Sequence, residues 1–150
     1  MASLYLWLKF VHIAGIGAFL LGHGVSAGTS LVLRRASSDA VRTALLRVSI
    51  QSAAIFYPAL LVIVVTGVWM GFAGSWWRTG WIWAGIATLV AVIVAMSAMS
   101  VPYHKARDAA NATPPADPEP MLKRARPLEL AAVGTIGLLI LFFLMVFKPF

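Results

Sequence analysis

The chain has 150 residues, 61% of them hydrophobic and 11% charged, with a formal charge of +7 and no cysteine. Soluble domains average about 45–50% apolar and 25% charged, and a water-soluble core of this length has no room to hide such an excess. The missing cysteines also exclude disulfides, thiolate metal sites and thiol redox chemistry.

Four stretches carry no Asp, Glu, Lys or Arg: 10–33, 48–77, 79–104 and 130–147. Each matches or approaches the ~20 residues that cross a ~30 Å hydrocarbon core as a helix. The fold class is therefore all-α, a four-transmembrane-helix bundle forming one domain over 1–150. The first span is expected at about 4–33. Lys9, the apolar run after it and Val25-Ser26-Ala27 also resemble a signal peptide, but we read the segment as a membrane helix. The second span is expected at about 44–72, with Pro58 kinking it and freeing a carbonyl. The third runs from about 80 to 101 and stops near Pro102. The stretch 105–126 is rich in Pro, Ala and acids and reads as a mobile linker. The fourth span, about 127–148, opens on Pro127, with Glu129 in a first turn that favours negative charge.

The charges orient the bundle. Nine of the 12 basic residues sit in two loops. Arg34, Arg35, Arg42 and Arg47 lie in the first, and Lys105, Arg107, Lys123, Arg124 and Arg126 in the third. The positive-inside rule places both loops in the cytoplasm and both termini outside. The positive charge is thus read as a membrane anchor, and no nucleic acid is expected as partner. Trp7, Trp76, Trp77, Trp81 and Trp83 are expected at the outer interface.

Helix 1 holds the candidate site. His12 and His23 are eleven residues apart, which is three turns plus about 20°, or roughly 16 Å along one face. Gly15, Gly22, Ser26 and Ser30 share that sector, and small residues admit a neighbouring backbone or a flat ligand. Intramembrane ionisable residues are costly and default to functional candidates. Two readings stay open. The histidines ligate iron or a metal, or they satisfy Tyr57, Thr66 or backbone freed by Pro58 while the glycines pack helices. Met96 lies near the depth of His23; Met70 and Met145 lie near that of His12. Lys9 either snorkels to the headgroups or meets a propionate or anionic substrate. His104, after Pro102 and Tyr103, reads as an interfacial residue. No HExxH, GxSxG, P-loop or carboxylate pair is present.

Lys9-Phe10-Val11-His12, the Gly-rich run ending in Arg34-Arg35, Thr66-Gly67-Val68-Trp69 and Gly80-Trp81-Ile82-Trp83 resemble a bacterial group of small four-helix membrane proteins. The group includes an uncharacterised branch of predicted integral membrane proteins, copper-resistance domains of the CopD type and protoporphyrinogen oxidases of the HemJ type. The resemblance to the HemJ type implies heme at a first-helix histidine, here His12. That type also has a lysine early in the third span, where this chain has Ile82-Trp83-Ala84. The uncharacterised branch resembles the chain most closely.

The expected function is binding of b-type heme through helix 1, for electron transfer or heme-linked redox chemistry. The cofactor-binding candidates are His12, His23, Lys9, Gly15 and Gly22, with His12 and His23 as iron ligands. The expected partners are the lipid bilayer and a second copy or a larger membrane complex. Two alternatives remain: a non-enzymatic subunit packing through its small-residue face, and a copper-handling protein using His and Met.

Overall fold

The computed structural model describes residues 2–33, 35–36, 38–113 and 116–150. Arg34 of the first loop and Pro114 and Pro115 of the expected linker lie outside them. Helix α1 spans Ala2–Leu33 and α2 spans Asp39–Ala73. A 3-10 turn at Trp76–Arg78 leads into α3, Gly80–Asn111. The short α4, Glu119–Leu122, precedes α5, Pro127–Phe147. Among the described residues there is no strand. Four of the helices are long and apolar enough to cross a membrane.

Local chemistry sets the ends. Ser38 is extended and accepts the Val41 N–H at 3.4 Å, which caps α2. Asp39 then sits in the first turn, where the helix dipole favours it. The start therefore falls five residues before the expected Ala44. Gly74 N–H closes α2 on Met70 O at 2.8 Å, and Ser75 at φ 54° reverses the chain. α2 runs unbroken through Pro58.

Two expectations about the third span are corrected. α3 does not stop at Pro102 but continues to Asn111. A proline removes only its own N–H and strains one turn; here the turns beyond it are rewarded by packing. Tyr103, Ala106 and Ala110 pack with Leu33 and Leu46 in the most buried cluster of the molecule. The stretch 105–126 is accordingly not a featureless linker. Met121 and Leu122 of α4 cover that cluster, and Glu119 pairs with Arg42 at 3.4 Å and Lys123 at 3.0 Å. Such exposed pairs add little stability; they fix where α4 lies.

α1 packs along α2, and α3 along α5, while the two hairpins touch each other only lightly. Elsewhere the surface is apolar: Leu21 is 73% exposed, Val94 63% and Val146 71%. Faces this apolar suit lipid and not water. At one end the aromatic residues gather. Trp83 Nε1 donates to Trp77 O at 3.0 Å, and Lys148 Nζ sits 4.3 Å over the Trp76 ring. Tyr5 meets Trp76 edge-on, so both chain ends belong to this tryptophan-rich end. The basic loops belong to the other.

The α1–α2 seam is built on small residues. A Cβ on Gly15 would stand 3.2 Å from Ile63 and 3.6 Å from Ala59 O; one on Gly22 would stand 2.9 Å from Phe56 N. Ser26 Oγ lies 3.2 Å from Ser49 Oγ. At Gly15 and Gly22 the face expected to receive a partner or a flat ligand is therefore covered by α2 of the same chain. Gly24 and Gly28, which have GxxxG spacing, face open space instead.

Candidate functional site

A cavity of about 270 Å³ lies between the two hairpins. On α5 its wall runs from Pro127 to Met145, about 27 Å at the helical rise. The cavity is thus a long, narrow slot. At the arginine-rich end its polar lining is Ser30, Ser100, Tyr103, His104 and Arg107, and Ser26, Tyr57, His23 and Ser97 add polar groups elsewhere along it. The remainder is apolar, with Ile16, Ile63, Leu89, Leu138 and Phe142.

His23 stands partway along this slot. Phe19 stacks on its ring at 5.5 Å and 5°, and Phe56 meets it edge-on at 6.3 Å. Opposite lies Gly134 of α5. A Cβ there would be 3.1 Å from His23 Nε2, 3.3 Å from Met96 Sδ and 3.3 Å from Met96 Cε. An imidazole nitrogen and a thioether sulfur thus converge on one glycine. Met145 lines the far end of the slot.

His12 is placed differently. It is buried in the α1–α2 seam, does not line the slot, and its Nδ1 lies 2.9 Å from Thr66 Oγ1. The Thr66 hydroxyl has one proton and sits 2.6 Å from Val62 O. With that proton on the carbonyl, the network assigns His12 as the Nδ1–H donor to Thr66. Its ring edge faces Gly67, where a Cβ would stand 3.3 Å from Cε1. Gly15 and Gly22 belong to the same seam, and Lys9 is exposed. Of the five candidates, the slot takes His23 alone.

The difference follows from helix geometry. Seam contacts on α1 fall at His12, Gly15, Gly22 and Ser26, a 3.5-residue repeat. Such a seam drifts by about 20° per heptad relative to a straight helix. Over eleven residues this adds roughly 30° to the 20° between the histidines. His12 therefore points at α2, and His23 turns past α2 into the slot.

Arg107 is the residue missed by sequence reasoning. It donates from Nη2 to Ser49 Oγ at 2.5 Å, and its Nε is buried without a partner. It makes no ion pair among the described residues. A signal existed: Leu89, Ile93, Met96, Ser100, Tyr103 and Arg107 recur every three or four residues. Ending the helix at Pro102 hid it.

Four apolar helices around a lipid-depth slot define a small polytopic membrane protein. The chain belongs to the family described as predicted integral membrane protein (DUF2269), whose model matches residues 6–149. No curated protein and no solved structure matches it.

Proposed function

We propose that this protein binds an elongated apolar ligand in the slot between its hairpins. The observation that carries this reading is the slot's form: about 27 Å long, narrow, apolar within and polar at one end. Its volume, about 270 Å³, sits at the lower edge of the ~300–1,000 Å³ usual for small-molecule pockets. The light contact between hairpins gives lateral entry from the bilayer. A photoreactive alkyl chain tests this. Label is expected on inward residues such as Val92, Met96 and Leu138. Label confined to outward residues such as Leu139 and Val146 would mean that the chain reads only the lipid face.

A second reading is b-type heme, and the His23–Met96 convergence favours it. Imidazole and thioether are a known heme ligand pair, and Gly134 leaves a cradle between them. Bound heme would supply one-electron redox chemistry. His23 and Met96 would hold it, and Phe19 and Phe56 would fix the imidazole plane. A macrocycle is wider than the slot, so the lightly joined hairpins would have to part. The same two donors suit Cu(I). The absorption spectrum decides. After hemin reconstitution, His23→Ala and Met96→Ala should lose the Soret band and His12→Ala should retain it. A colourless wild-type protein after reconstitution removes the heme reading.

Orientation is proposed on charge. Translocating nine basic residues is disfavoured, so the arginine-rich end should face the cytoplasm of a bacterial inner membrane. Reporter fusions ending at Ala40 and at Ala112 should both read as cytoplasmic. An outer location for either overturns this orientation.

A further inference from the structure

We propose that Arg107 anchors the carboxylate of a single-chain amphiphile whose chain lies in the slot. This deepens the slot reading and rests on it.

Four observations carry the assignment. The first is an unspent cation. Arg107 has one side-chain hydrogen bond, to Ser49, and its buried Nε has no partner. Arg107 also makes no ion pair among the described residues, and a guanidinium pairs best with a planar oxyanion that takes two N–H groups at once. The second is a neighbour. His104 lies one turn before Arg107, lines the same mouth, and makes no ring hydrogen bond among the described residues. It offers the oxyanion a second donor.

The third is depth. Twenty residues of α3 counted from Gly80 span the ~30 Å hydrocarbon core. Arg107 falls about 10 Å beyond, among the headgroups, and Met96 lies ~16 Å back toward the interior. Charge and apolar slot are therefore spaced like the head and tail of a membrane amphiphile. The fourth is width. A slot of about 270 Å³ drawn out over that length has room for one alkyl chain.

The hydrogen bonds behind Arg107 set its direction. Ser49 accepts from Nη2 and lies 3.2 Å from Ser26 Oγ, and Ser30 donates to Ser26 O at 2.8 Å. Ser49 takes one of the two Nη2 hydrogens; Nη1 shares an edge with Nη2 and is left for the ligand, whereas the enclosed Nε does not face the slot. A fatty carboxylate and a porphyrin propionate would meet those groups alike, so the ligand's body must be tested separately.

The experiment uses the full chain in a maltoside detergent, with native mass spectrometry as readout. Palmitate and hexadecanol share a chain and differ in charge. Wild type should bind palmitate roughly ten-fold more tightly than hexadecanol, the value of a charge-assisted hydrogen bond. Arg107→Gln should erase that preference, bringing palmitate down to the affinity of hexadecanol. Arg107→Lys should restore part of it. A circular-dichroism melt checks folding. If the glutamine variant does not fold, the wild-type preference and the lysine variant still decide. Equal binding of acid and alcohol by wild type overturns the anchor and leaves the slot. Binding of neither chain overturns both. Hemin titrated instead of palmitate separates bodies: binding of hemin alone overturns the single-chain assignment.

Discussion

Gly22→Leu is expected to lower the Tm in detergent by roughly 2–12 °C, from about 1–3 kcal/mol of overpacking. The added Cβ would stand 2.9 Å from Phe56 N, 3.0 Å from Phe56 Cβ and 3.1 Å from Ser52 O. Two of these are backbone atoms of α2, which no rotamer change can move aside. The helices must separate along their whole contact, because His12, Gly15 and Ser26 belong to the same seam. Gly24→Leu is the control. Its Cβ meets nothing within 4 Å, so it should melt with wild type. Equal melting of the two variants would mean that α1 and α2 do not pack as described.

Span number and helix type were legible because the membrane imposes a simple rule. A charge-free stretch of about 20 residues has one stable form in lipid, and Pro127 marks a helix start without any tertiary information. Pro102 was misread for the opposite reason. Its meaning depends on what packs beyond it, and Tyr103, Ala106 and Ala110 find partners on α1 and α2. The histidines were misgrouped by period. Counting at 3.6 residues per turn placed His12 and His23 on one face, whereas packing follows 3.5. Arg107 escaped because an arginine three residues past a charge-free run looks like a loop residue. Only the tertiary structure shows its Nε enclosed and unpaired.

Gly134→Leu is expected to abolish slot binding without harming the fold, the opposite outcome to Gly22→Leu. Both glycines are buried, but their neighbours differ in kind. A Cβ at Gly134 meets His23 Nε2, Met96 Cε and Met96 Sδ at 3.1–3.3 Å. All three belong to side chains, and the unbranched thioether adapts readily. The remaining leucine carbons enter the slot, where they gain dispersion contacts with its apolar walls. Stability should therefore fall by no more than the low end of the overpacking range of about 1–3 kcal/mol. A chain anchored at Arg107 passes this level, since Met96 lies ~16 Å deeper on α3. Palmitate and hexadecanol should both lose at least roughly ten-fold in affinity, the cost of excluding a few buried methylenes. If His23 and Met96 hold hemin, the same variant should lose its Soret band. Undiminished binding in a folded Gly134→Leu protein would place the ligand outside the slot. A collapsed melting curve would show that Gly134 is a packing glycine like Gly22 and that no open slot exists at this depth.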